Sequence, residues 1–375
     1  MKIRHWSGST LLIVAAGTLS LPIQALAAGS TSYTLTDVSA SGGTFSTSLG
    51  INGPALGING TGQVAGNSDV SGTTHAILYS NGSASDLGTL GGTSSAALGI
   101  NGLGQVVGFA DTASNNFNAF LYSNGQMTDL GTLGGSTSSA YAINDSGEVV
   151  GQASTAGNST GDAFLYSNGS MTSLGTLGGT WSAAAGINNS GQIAGSSSLS
   201  GDQAQHAFLY SNGQMTDLGT LGGSNSTAWS INANGEVVGS AFTLSGFQNA
   251  FLDNNGAGMI DLGTLGGNTS VAYGINKYGQ VVGYSLTAGG QQDAFLYSNG
   301  KMIDLNSLLA SGSGWTLADA YGINDLGQIV GDGYYGGQRQ AFILTPNPVP
   351  VPAAGWLFGS GLLGLVGVAR KRKTR

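Results

Sequence analysis

Apolar residues along this chain come in short runs flanked by glycine, and the runs recur at a near-constant interval. Ile-Asn followed by x-x-Gly-x-(Val/Ile)-(Val/Ala)-Gly occurs seven times, at Ile58, Ile100, Ile143, Ile187, Ile231, Ile275 and Ile323, with spacings of 42, 43, 44, 44, 44 and 48 residues. A second block, Ala-Phe-Leu-Tyr-Ser-Asn-Gly, also counts seven, from Ala76-Ile77 through Ala119 to Gly125 and Ala207 to Gly213 to Ala341-Phe342-Ile343. The third, Asp-Leu-Gly-Thr-Leu-Gly-Gly, as in Asp129 to Gly135, is clear in five units. It is degraded at Asp304-Leu305-Asn306 and echoed by Thr36-Asp37-Val38. A fixed period of this length marks a repeat architecture.

Each unit predicts four short strands, of the types Met-Thr-Asp-Leu, Ala-x-x-Ile-Asn, Gln-Val-Val-Gly and Ala-Phe-Leu-Tyr. Asn-Gly closes the Phe-Leu-Tyr strand at Asn124-Gly125, Asn168-Gly169, Asn212-Gly213 and Asn299-Gly300, the strongest short signal for a type I′ hairpin. Ala119-Phe120-Leu121-Tyr122 and Gln105-Val106-Val107 are apolar on both alternating faces. Such strands are covered on both sides, which one isolated unit could not achieve and a unit between two neighbours could. The fold class is therefore all-β, a repeat protein best read as a seven-bladed β-propeller with about four strands and 44 residues per blade. A β-solenoid is the alternative, although its coils usually repeat at a shorter period. The period shows no break, so residues 28–345 form one domain. Tyr33 to Val38 and Ala341 to Leu344 match different ends of the same unit, so a closed ring should bring them together in one blade.

Composition narrows the class. Glycine is 67 of 375 residues, charged residues are 7%, and cysteine is absent. Those figures exclude a helical bundle, a disulfide scaffold and a cysteine-based metal site; six prolines without a G-X-Y period exclude collagen. Lys277, Lys301 and Arg339 are the only basic residues outside the two ends, while all 18 acidic residues lie between Asp37 and Asp332, so the central region carries −15. A surface this acidic repels phosphate backbones, so nucleic acid is not an expected partner.

The ends read as addresses. Residues 1–27 have the form of a secretory signal peptide: Lys2 and Arg4, an apolar stretch opening at Leu11, and a small-x-small cleavage signal at Ala25-Leu26-Ala27, with Ala28 as first mature residue. Export machinery and signal peptidase are the implied partners, and an uncleaved anchor is the alternative. Residues 346–375 comprise a linker, the motif Val349-Pro350-Val351-Pro352-Ala353, an apolar stretch containing Trp356, Leu357 and Phe358, and the basic run Arg370, Lys371, Arg372 and Lys373. The apolar part, 353–369, would be about 25 Å long as a helix, just short of a bilayer core of ~30 Å. A basic cluster after it holds the tail on the cytoplasmic side, as in a stop-transfer helix.

This tail resembles a PEP-CTERM sorting signal, with Val351 where the name motif has Glu. The resemblance covers about 27 residues. It implies processing near Pro350–Ala353 by an exosortase-type enzyme in the inner membrane of a Gram-negative bacterium, then passage to the cell surface or extracellular matrix, in organisms that typically make exopolysaccharide. A permanent single-span anchor is the alternative. His206-Ala207-Phe208 with Asp217 to Gly223 is similar to the extracellular HAF repeat, a resemblance that covers about 33–345. It implies an extracellular location and no particular activity.

Catalytic motifs are weak. His75 and His206 occupy equivalent repeat positions, unlike members of a unique triad or metal site. Gly157-Asn158-Ser159-Thr160-Gly161 matches a nucleophile elbow without strand-turn-helix context, and Gly331 to Gly336 matches GxGxxG without a following helix. Asp86, Asp129, Asp217, Asp261 and Asp304 recur at one position, with Ser173 the exception; they read as turn caps, with a calcium-attracting ring of carboxylates as the functional alternative. The departures from repeat symmetry that could mark an enzyme are Asp253, in place of the usual Tyr, and Tyr334-Tyr335 near Arg339. The favoured function is a non-enzymatic exported surface or matrix protein that associates with exopolysaccharide or biofilm through repeated weak contacts. The alternative is a secreted propeller enzyme acting on glycans, which would need a carboxylate pair breaking the symmetry.

Overall fold

Each repeat folds as one antiparallel four-stranded sheet. The computed structural model describes residues 32–38, 57–70, 72–157 and 160–347. The second blade shows the plan: Gly91–Ile100, Val106–Thr112, Phe117–Ser123 and Gln126–Asp129 pair in that order. The first strand of each blade abuts the first strands of its neighbours around the axis, so the sheets run outward from strand one to strand four. Seven such blades form a β-propeller. The fifth and sixth, which begin at Gly222 and Gly266, also share one parallel bridge, Gln248 to Thr269. In the first blade the described part of the inner strand is Gly57–Ile58.

The hairpins follow the sequence. Asn212 (φ 53°) and Gly213 (φ 80°) both adopt positive φ, the type I′ geometry that suits right-twisted strands. The third-strand phenylalanines Phe120, Phe164, Phe208, Phe251, Phe295 and Phe342 are fully buried. Their partners are supplied across blade boundaries. Phe120 clusters with Val106 and Ala110 of its own blade and with Ala65 and Ala76 of the blade before, and Phe164 does the same with Val107 and Ala119. The core therefore lies between the sheets, which is why the second and third strands are apolar on both faces.

Two features close the ring. The first described strand, Tyr33–Asp37, pairs antiparallel with the last described one, Gln338–Pro346, as the outermost strand of the seventh blade. That strand runs to Pro346, one residue past the boundary expected at 345, and Asn347 N still donates to Ser32 O at 2.9 Å. At the other edge the asparagine of each Ile-Asn motif donates through Nδ2 to the backbone carbonyl of the corresponding asparagine in the next blade. The relay runs Asn59, Asn101, Asn144, Asn188, Asn232, Asn276, Asn324, and Asn324 returns to Asn59 O at 2.9 Å. Each Oδ1 meanwhile accepts from backbone N–H groups two and four residues on, as Asn188 does from Ser190 and Gln192. One buried side chain thus shapes the turn and joins adjacent blades. An open coil of the solenoid type has no such return contact.

Among the described residues no helix is long and apolar enough to cross a membrane. The signal segment with Ala25, Ala27 and Ala28, and the tail with Val349 to Ala353, Trp356 to Phe358 and Arg370 to Lys373, lie outside the described residues.

Candidate functional site

The repeated aspartates sit on the outermost strands, no more than one to a blade, and are not gathered at one point. Each caps its turn: Asp86, Asp129, Asp217, Asp261 and Asp304 accept from the backbone N–H two residues on at 2.7–2.8 Å. Four of them also face a donor on the adjacent strand, His75, Asn118, His206 or Asn249, within 2.9–3.0 Å of both carboxylate oxygens. The Ser173 exception is an exchange of partners, because Ser173 Oγ donates to Asp162 at 2.6 Å while accepting from Gly175 N. In the sixth blade the donor is replaced by Asp293, whose carboxyl is held above its ordinary range by burial and by Asp304. Among the described residues no group of three or more His, Asp or Glu forms a cation cage. Asp253 is also a turn cap, fully buried and accepting from Gly256 N and Gly258 N.

Repeat symmetry breaks in two other places. Around the axis, the column two residues before the last six motif isoleucines reads Leu98, Tyr141, Ala185, Trp229, Tyr273 and Tyr321. Tyr273 lies 6.1 Å from Trp229, 5.5 Å from Tyr321 and 5.9 Å from Tyr284 between ring centroids, in edge and tilted arrangements. Trp229, Tyr273 and Tyr284, together with Tyr141, Trp181 and the amides of Gln152, Gln205 and Gln248, bound a cavity of about 520 Å³ on the axis. That volume suits a small-molecule site. The lining is aromatic faces interleaved with hydroxyls and amides: Gln248 donates to Ser240 Oγ at 2.9 Å, and Gln205 to Thr227 Oγ1 at 3.2 Å.

The second break is ionic. Asp319 and Asp332 stand opposite each other on adjacent strands of the seventh blade. Arg339 joins them, bidentate to Asp332 through Nε and Nη2 at 2.9 Å and bound to Asp319 through Nη2 at 2.9 Å. Gln292 of the sixth blade donates to the other oxygen of Asp319 at 2.8 Å, and Tyr321 Oη donates to Asp332 at 3.3 Å. Sequence reasoning singled out Arg339 with Tyr334 and Tyr335 and missed both carboxylates. Aligned repeat columns carry the signal. Asp319 stands where other blades have Val271, Thr227, Ala183, Ser139 and Ala96, and Asp332 where they have Tyr284, Ser240, Ser196, Gln152 and Phe109.

This cluster makes stability depend on pH. Burial first, and Asp332 second, push the Asp319 carboxyl up to about 7 against the opposing pull of Arg339. A carboxyl raised on folding stabilises the fold while it is protonated. That contribution is fully present below the unfolded value of 3.8 and is lost as pH rises through about 7. The melting midpoint should therefore carry a component that falls between pH 4 and 7, and Asp319→Asn should remove it. Thermal melts across that range check this, and an unchanged slope in the variant would refute the assignment.

No family model matches the chain, and no curated protein matches it. Solved structures with a similar fold include a puromycin-hydrolysing peptidase from Mycobacterium tuberculosis (TM-score 0.52, 13% identity, 83% of this chain and 56% of that one). The WD40 domain of Toxoplasma gondii coronin is similar at TM-score 0.49 and 11% identity, over 85% of this chain and 88% of that one. TolB from Acinetobacter baumannii follows at 0.42 and 16%, over 55% and 52%. The chain thus spans about half the length of TolB and of the peptidase. Identities this low speak to the fold alone, and the propeller class includes enzymes and non-enzymes.

Proposed function

We propose that this propeller is an exported, non-enzymatic surface or matrix protein that binds exopolysaccharide, with the axial cavity as its binding site. The observation that carries this reading is the lining of that cavity, in which Trp181, Trp229 and Tyr273 offer stacking faces between the amides of Gln152, Gln205 and Gln248. Sugar rings present C–H faces to aromatic side chains and hydroxyls to amides, so this pairing suits a glycan. The sequence-level addresses support export, with exosortase-type processing of the 346–375 tail.

A glycan-cleaving enzyme needs two carboxylates free to act as acid and base or nucleophile. Asp332 has both oxygens held by Arg339, and Asp319 is held by Arg339 and Gln292, which favours binding over cleavage. The experiment is incubation of the purified chain with exopolysaccharide of the source bacterium, scored for binding and for release of reducing sugar. The expected result is binding without release, weakened about tenfold by Tyr273→Ala, a change worth ~1.4 kcal/mol. Sugar release would overturn the reading, and so would full-strength binding by the variant.

A further inference from the structure

A second cavity of about 490 Å³ lies between the second and third blades, lined by Phe109, Phe117, Thr137, Ser139 and Thr160. Tyr141 and Gln152 line both cavities, so the two spaces adjoin across these side chains. Phe109 and Phe117 pack edge to face with centroids 5.6 Å apart, and Phe117 is 41% exposed on the wall of this second cavity.

Neither cavity has a charged side chain among its described lining residues. Residues 39–56, outside the described set, contain no charged residue in sequence either. In a region of net −15 this is a selective feature. An acidic sugar would lose its hydration here without meeting a cation, whereas a neutral sugar gives up only hydroxyl–water contacts that the amides and hydroxyls replace. Arg339 is no such cation, because Asp319 and Asp332 already neutralise it. The wall also holds one unmet donor: Trp229 lines the axial cavity, and its Nε1 is buried without an acceptor among the described residues. A buried N–H left unpaired destabilises the unliganded protein, and a ligand oxygen relieves it once the indole turns Nε1 toward the cavity.

We propose that the axial cavity receives the end of an uncharged oligosaccharide, with Trp229 Nε1 donating to a sugar oxygen, and that the following sugar units leave along the groove between the second and third blades. This rests on the glycan reading above and narrows it to neutral chains recognised at one end. Tyr141 and Gln152 form the junction, and Phe117 is the last stacking face on the way out.

The test is calorimetric titration of the full chain with neutral hexose oligomers of two to six units and with uronic-acid oligomers of matched length. Neutral oligomers should bind, with affinity rising with length until the groove is filled, and uronates should bind at least about tenfold more weakly. Trp229→Phe keeps a ring and removes the donor. It should weaken every neutral oligomer about tenfold while leaving the melting midpoint unchanged or higher. Phe117→Ala should weaken the longer oligomers and spare the shortest. Uronates binding as well as neutral oligomers would overturn this inference and leave glycan binding standing. Length-independent affinity, or Phe117→Ala acting equally on all lengths, would overturn the path along the groove. Neutral binding unaffected by Trp229→Phe would overturn the donor assignment. Failure to bind any glycan would sink the proposed function itself.

Discussion

Deleting residues 32–38 should lower the melting midpoint by roughly 8 °C, and adding those residues back as a free peptide should restore much of it. The segment is small, but it is the outer strand of the blade that closes the ring, in register from Tyr33 opposite Pro346 to Asp37 opposite Phe342. Val38 and Tyr33 are 1% and 7% exposed, and Leu35 packs on the core that contains Tyr33. Val38 also joins Val64 and Ile77 of the first blade to Val330 and Ile343 of the seventh, so one residue serves both the closing sheet and the closing interface. Losing two buried side chains and the half-buried Leu35 removes about 5 kcal/mol of apolar burial. Spread over the unfolding entropy of a domain of this size, that is a shift of roughly 8 °C. The free peptide can rescue because an exposed strand edge accepts a matching strand in trans. Differential scanning fluorimetry with and without the peptide checks both halves. A midpoint that moves less than about 2 °C would mean the ring holds without its clasp.

The architecture was legible because each repeated residue has one repeated job. Ile-Asn marks the inter-blade relay, Asn-Gly the type I′ hairpin, and Asp-Leu-Gly the turn cap, and equal counts of the three imply a ring. Even the pairing of the first and last strands followed from which parts of the unit each resembles. The candidate site was not legible, for a physical reason. The candidate site rests on positions where the repeat is not obeyed, and a reading that averages over units discards them. Tyr141, Trp229 and Tyr273 look like ordinary inner-strand aromatics until the ring brings them to one axis. Asp319 and Asp332 are 13 residues apart in sequence and look unrelated until adjacent strands set them opposite each other under Arg339. Asp253 misled in the other direction, because a carboxylate in a tyrosine column reads as chemistry and serves to cap a longer loop.

The glycine that ends each Val-Val-Gly should be the least replaceable residue in its blade, and Gly239→Ala should destabilise far more than Gly213→Ala. The two glycines are needed for different reasons. Gly213 sits in a hairpin turn at φ 80° with nothing within 4 Å of an added Cβ, so alanine meets only the left-handed backbone penalty, about 1–2 kcal/mol. Gly239 lies mid-strand in Glu236–Thr243 with no such φ, and its constraint is space. The inner strand shifts register between Ala228 and Ser230, and the Thr227 carbonyl oxygen fills the place where a Cβ would stand. Ala228 Cα and Phe251 Cε1 would each lie 2.9 Å from that Cβ. A side chain could turn aside, but a backbone carbonyl held in a sheet cannot, and the fully buried Phe251 ring has no room to retreat. Overpacking usually costs about 1–3 kcal/mol where neighbours can yield, so a clash with fixed backbone belongs at or beyond the top of that range. Gly108, Gly151, Gly195, Gly283 and Gly331 each face the equivalent carbonyl oxygen, of Ala96, Ser139, Ala183, Val271 and Asp319, so the same substitution in any of these blades should behave alike. Urea melts of the two variants against the parent decide the matter. If Gly239→Ala unfolds at the same midpoint as Gly213→Ala, the inner strand is softer than this packing allows, and the recurrence of Val-Val-Gly has another cause.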